Sequence, residues 1–156
     1  MHSPIFEIST EPVMPEDRMS FDRIFNESYM DWGQEADQSL RSEYLGNMKQ
    51  SAWYKALFTP GETPDVMIYN GKIKELKQEW CNEMQQELNH VIDSEDFDLF
   101  KLECILKQGK FNTTLFVIET LLGSGVAEPG MQFAEWLVQL EAGTPLYIGG
   151  VYDYHW

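Results

Sequence analysis

The stretch Lys72 to Ile92, KIKELKQEWCNEMQQELNHVI, decides how this chain is read. Its apolar residues fall at Ile73, Leu76, Trp80, Met84, Leu88 and Val91. At about 100° per residue these lie within about 60° either side of one direction, the pattern of a helix turned toward a core. No Gly or Pro follows Gly71 in the stretch. Leu, Lys, Gln and Glu dominate it, all good helix formers. A helix over these residues is expected.

Off the apolar face stand Glu75, Glu79, Glu83 and Glu87, each four residues from the last. Side chains at i and i+4 are neighbours, so each like-charge pair costs roughly 0.2–0.5 kcal/mol. Lys72, Lys74 and Lys77 occupy the first two turns and no Lys or Arg follows them in the helix. That order opposes the helix dipole, which favours acids first and bases last. A helix shaped only for stability would alternate the two charges. The row is either a solvated face or an acidic surface for a basic partner.

The acid is regional. Glu79, Glu83, Glu87, Asp93, Glu95, Asp96 and Asp98 all lie between Lys77 and Lys101, with no Lys or Arg among them. After Lys110 come Glu119, Glu128, Glu135, Glu141 and Asp153, again without a Lys or Arg. Over 156 residues, 26 acids face 11 bases, for a net charge of -15 and a pI near 4.4. Nucleic-acid backbones and anionic membranes repel such a chain, so neither is an expected partner. A basic protein is. A hydrophobic fraction of 43% and an aromatic fraction of 13% exclude a disordered acidic tail. The length fits one domain, residues 1–156, with enough chain for a core.

Cys81 and Cys104 sit in apolar-rich segments and read as small buried hydrophobes, without metal or redox spacing. The opening MHSPIFEIST lacks the basic and apolar regions of a signal peptide, and no apolar run is long enough to span a membrane. A cytoplasmic protein is expected.

Outward from the helix, Val66–Tyr69 reads as a short strand, and Asn70-Gly71 as the turn between them. Thr59–Asp65 (TPGETPD) is a loop. A helix is expected from Gln38 to about Phe58, weakened at Gly46 and open to division there. Asp31–Asp37 (DWGQEAD) reads as an acidic connection. Ser20 caps a helix through Phe21, Ile24, Phe25 and Tyr29, and Pro4–Ser9 is a first strand. Downstream, Asp93–Asp98 is an acidic segment that also fits the start of a helix. Residues 97–107 alternate as a strand does, though a helix is the alternative. With Phe111–Glu119 they would form a β-hairpin. Pro129 and Gly143 bracket a last helix. Leu146–Trp156 is a terminal strand kinked at Gly149-Gly150. The fold class is α+β: a small antiparallel sheet of three or four strands against three or four helices.

Chemistry is sparsely marked. Glu83, Glu87 and His90 share a helical face with the E-x-x-H spacing of helix-bundle metal sites, but no second such motif exists to complete one. Asp153 and His155 offer an acid and an imidazole. The glycine-flanked Ser124 lacks the G-x-S-x-G spacing of a nucleophile elbow. No phosphate-binding glycine motif is present. No catalytic, cofactor-binding or metal-binding residue is therefore assigned, and no cofactor is expected.

The expected function is an acidic protein-interaction domain that binds a basic partner, as an immunity protein or a nucleic-acid mimic does. Its site is Glu75, Glu79, Glu83, Glu87, Asp93, Glu95, Asp96 and Asp98. Trp32, Tyr152, Tyr154 and Trp156 beside acids suit the same interface, whereas Trp80 and Trp136 read as core. The alternatives are a small enzyme or metal protein using Glu83, Glu87 and His90, and a structural subunit of a homo-oligomer.

Overall fold

The computed structural model describes residues 2–24, 32–93, 115–118 and 130–155. In chain order come β1 (His2–Ser9), a 3-10 turn (Pro15–Asp17), α1 (Phe21–Ile24), β2 (Trp32–Glu35), α2 (Gln38–Gln50) and α3 (Ala52–Leu57). Then follow β3 (Phe58–Pro60), β4 (Val66–Tyr69), α4 (Ile73–Asp93), β5 (Leu115–Ile118), α5 (Gly130–Leu137) and β6 (Pro145–His155). The fold is α+β, as expected.

The sheet is built on its last strand. One edge of β6 pairs with β1 along most of its length. The other edge is shared end to end: β4 pairs with Pro145–Tyr147, and β2 with Tyr152–His155. β3 extends the sheet beyond β4. These pairings are antiparallel, and β5 joins the far edge of β1 in parallel. β2 and β3 are additional to the expected strands. Trp32–Glu35, read as a connection, becomes a strand because β6 offers it an open edge, not because of its own pattern. The proposed hairpin partner of β5, and Ser124, lie outside the described residues.

Alternation along the strands divides the core between two faces. Phe6, Ile8, Met67, Tyr69, Leu146, Ile148 and Val151 face α2, α3 and α5, which bury Leu45, Met48, Tyr54, Leu57, Phe133 and Leu137 against them. Ile5, Tyr152 and Tyr154 meet Met19, Ile24 and Phe21 in a second cluster. Each fully buried apolar side chain contributes about 1.5–3 kcal/mol.

The expected helix from Gln38 divides at Ser51, not at Gly46, which is exposed with open space around it. The Ser51 hydroxyl donates to the Met48 carbonyl at 2.6 Å and accepts from the Tyr54 N–H at 3.3 Å. It thereby closes one helix and caps the next. Asp37 caps the start of α2 through the Leu40 N–H, at 2.9 Å.

α4 enters from a turn at Gly71, whose φ of +82 is the left-handed conformation glycine tolerates. The Asn70 carboxamide accepts from the Lys72 N–H at 3.0 Å, holding that turn. Among the described residues, the first turns of α4 join the main core cluster. Ile73 is buried, and Leu76 and Trp80 pack against its edge. Beyond them Met84 is 40% exposed and Ile92 67% exposed.

Candidate protein-interaction site

The structure places Glu75, Glu79, Glu83 and Glu87 on α4, all exposed. Asp93 ends the helix, while Glu95, Asp96 and Asp98 lie outside the described residues. His2–Asp153, Arg18–Glu35 and Arg41–Asp65 form ion pairs, and none of these three draws on Glu75, Glu79 or Glu87. Lys72, Lys74 and Lys77 are also exposed. Amide pairs support the helix where charge does not: Gln78 donates to Asn82 and Gln85 to Asn89, both at 3.0 Å. Each such pair is worth a few tenths of a kcal/mol, comparable to one like-charge repulsion.

The glutamate row advances around the helix by about 40° at each step of four residues. It therefore sweeps from the solvent side at Glu75 toward the apolar side. Where it meets that side, a hollow of about 420 Å³ lies between α3 and α4. Its lining is Ala52 and Ala56 from α3, Leu76 from α4, and two tryptophans, Trp53 and Trp80. Glu79 and Glu83 complete it. Both tryptophans are half-buried. Trp53 is steadied from behind by edge-on contacts with Phe58 and Phe133, at centroid distances of 6.0 and 6.5 Å. Trp80, read as core from the sequence, is a wall of this hollow.

The opposite flank of α4 differs in charge. A hollow of about 600 Å³ between α4 and α5 is lined by Ile73, Trp80, Cys81 and Val138 together with Lys74, Lys77 and, from α5, Glu135. Cys81, expected to be buried, is exposed here because it lies on the lysine side of the apolar stripe.

A second polar group lies within the sheet. Glu7 is 1% exposed, Asp153 4% and Arg41 6%. Arg41 donates from Nη1 to the Gly149 carbonyl at 2.7 Å and from Nη2 to the Ile148 carbonyl at 3.1 Å and to Asp65 at 2.7 Å. Glu7 accepts from the Gly150 N–H at 2.5 Å and from the Met19 N–H at 3.3 Å. Asp153 accepts from the Tyr44 hydroxyl at 2.6 Å and pairs with His2 Nδ1 at 2.8 Å. Burial, with the Asp153 carboxylate beside it, pushes the Tyr44 phenol well above its ordinary value. Burial, with Glu7 nearby, does the same to Tyr152.

These buried charges are engaged by the fold itself. The acid–imidazole pair expected of Asp153 and His155 is instead Asp153 with His2, because β1 pairs His2 with His155 and leaves the two rings 5.5 Å apart. Tyr152 and Tyr154, suggested as interface residues, are buried in the second cluster, since strand alternation turns them inward. Trp32 stays 46% exposed, and Trp136 is core. Among the described residues no group of three His, Cys, Asp or Glu side chains converges to hold a metal ion, Glu83, Glu87 and His90 included. Nor does any described helix have the length and apolarity to cross a membrane.

No protein-family model, curated protein or solved structure matches this chain.

Nothing local in the sequence links Trp53 to Trp80. Helical spacing in Ala52-Trp53-x-x-Ala56 marks a small-residue floor beside an aromatic, but not which helix crosses it.

Proposed function

We propose that this chain is an acidic protein-interaction domain whose α4 surface binds a basic partner protein. The observation that supports it is the exposure of Glu75, Glu79, Glu83 and Glu87 on one helix whose lysines end at Lys77. A row that costs the helix stability and forms no part of the core has its use outside the molecule. Inhibition of a basic protein suits the spacing better than imitation of DNA. Glutamates four residues apart are about 6 Å from one another, against about 3.4 Å between phosphates along a strand.

The test compares wild type with a variant carrying Glu75→Gln, Glu79→Gln and Glu87→Gln. Basic proteins captured from lysate by the wild type at low salt should be released by salt and recovered poorly by the variant. Equal capture by both, at every ionic strength, would refute the reading.

A further inference from the structure

We propose that the hollow between α4 and α5 is a binding site for a small molecule with an apolar body and a single carboxylate. The inference stands apart from the glutamate row and does not depend on it. The hollow measures about 600 Å³, within the range of small-molecule sites, and lies between two helices, a usual place for one. Ile73, Cys81, Ala134 and Val138 give it a mostly apolar lining. Val138 stays 48% exposed there, although it is a large apolar side chain. Lys74 and Lys77 stand in the same lining.

The two lysines select the head group. Both are exposed, and neither belongs to an ion pair among the described residues. They occupy the first turns of α4, the end at which the helix dipole disfavours a cation, so helix stability does not account for them. An anion in the hollow meets two ammonium groups beside an apolar floor, the arrangement in which a few polar groups orient an otherwise apolar ligand. Glu135, from α5, opposes that anion, but the lining sets two cations against this one carboxylate. At about 100° per residue, Glu75 and Glu79 lie about 160° around α4 from Lys77, so they face away from the hollow.

The experiment uses the full chain and sodium octanoate, followed by NMR at the methyl groups of Ile73, Ala134 and Val138. Octanol and octylammonium are the uncharged and cationic counterparts. The expected result is a saturable shift at those three residues, with Ala52 and Ala56, between α3 and α4, unmoved. Octanoate should bind more tightly than octanol, and octylammonium most weakly. Lys74→Gln with Lys77→Gln should weaken octanoate binding about fivefold, the scale of two exposed charge contacts, and change octanol binding less than about twofold. Glu135→Gln should tighten octanoate binding about twofold. The control, Lys55→Gln with Lys72→Gln, makes the same change of charge as the first pair outside the hollow and should weaken octanoate binding less than about twofold. The same spectra report whether each variant is folded. Octanol binding as tight as octanoate, equal weakening by both lysine pairs, or no shift at Ile73, Ala134 and Val138 would each overturn the site, and none of them bears on the capture of basic proteins.

Discussion

Arg41 on α2 donates to the carbonyl of Gly149 on β6, 2.7 Å away and 108 positions later in the chain. This contact fills a gap in the sheet. β4 pairs with β6 only through Tyr147, and β2 begins only at Tyr152. Between them the Ile148 and Gly149 carbonyls face no strand, and the Arg41 guanidinium supplies the missing donors. On the other edge the β1–β6 register shifts between Phe6 and Ile8, and the Glu7 carboxylate accepts from the Gly150 N–H. A buried cation and a buried anion thus satisfy the two sides of one irregularity, as an unpaired buried backbone group would otherwise demand.

Replacing Arg41 should therefore be costly even though its ionic partner, Asp65, is about half-exposed. Arg41→Met keeps the apolar stem and removes the donors. We expect a loss of about 2–4 kcal/mol, measured by urea unfolding, because two buried carbonyls lose their partners. Asp65→Asn should cost well under half of that, since solvent screens the pair.

Gly150 is required by close approach. A Cβ there would run into the Tyr152 side chain. Gly150→Ala should destabilise by about 1–3 kcal/mol. Tyr152→Phe should cost about 1 kcal/mol by itself, since the Tyr152 hydroxyl donates to the Met19 carbonyl. Tyr152→Phe should not rescue Gly150→Ala, because the ring carbons Cζ and Cε2 also stand in the way of the new methyl group.

The tyrosines set an alkaline limit. Burial raises the phenols of Tyr44, Tyr54, Tyr69, Tyr152 and Tyr154 above their ordinary value. A raised folded-state pKa means that the folded state holds these protons longer than the unfolded chain does. Stability is then fully present below the unfolded value of about 10 and falls as pH rises above it. A titration followed by phenolate absorbance and circular dichroism should show most tyrosines ionising together with loss of structure. Phenolate appearing in a fully folded protein near pH 10 at these five positions would contradict it.

The glutamate row should trade stability for charge. Glu79→Gln removes two like-charge pairs, with Glu75 and with Glu83, and should stabilise α4 by about 0.4–1 kcal/mol. The corresponding rise in Tm, about 1–4 °C, should vanish at high salt, where the repulsion is already screened. On the proposed reading, the same variant should also capture basic proteins less well.

The local elements were legible in the sequence because their cause is local. The six apolar positions from Ile73 to Val91 repeat at the helical period, and α4 runs from Ile73 to Asp93. The β-forming residues of the first and last strands placed β1 and β6, and the excess of acid along α4 needed only a count. The fate of the charged residues was not local. Glu7 and Asp153 stand within the expected strands and Arg41 within the expected helix from Gln38, and nothing in their local pattern marks them for burial. Burial of a charge depends on which partners arrive to satisfy it, and each of the three has one on another element more than a hundred positions away in the chain. That Trp53 and Trp80 come to line one hollow has the same origin. Periodicity says which face of a helix turns inward, while only packing in three dimensions decides which other helix stands beside it and what hollow remains between them.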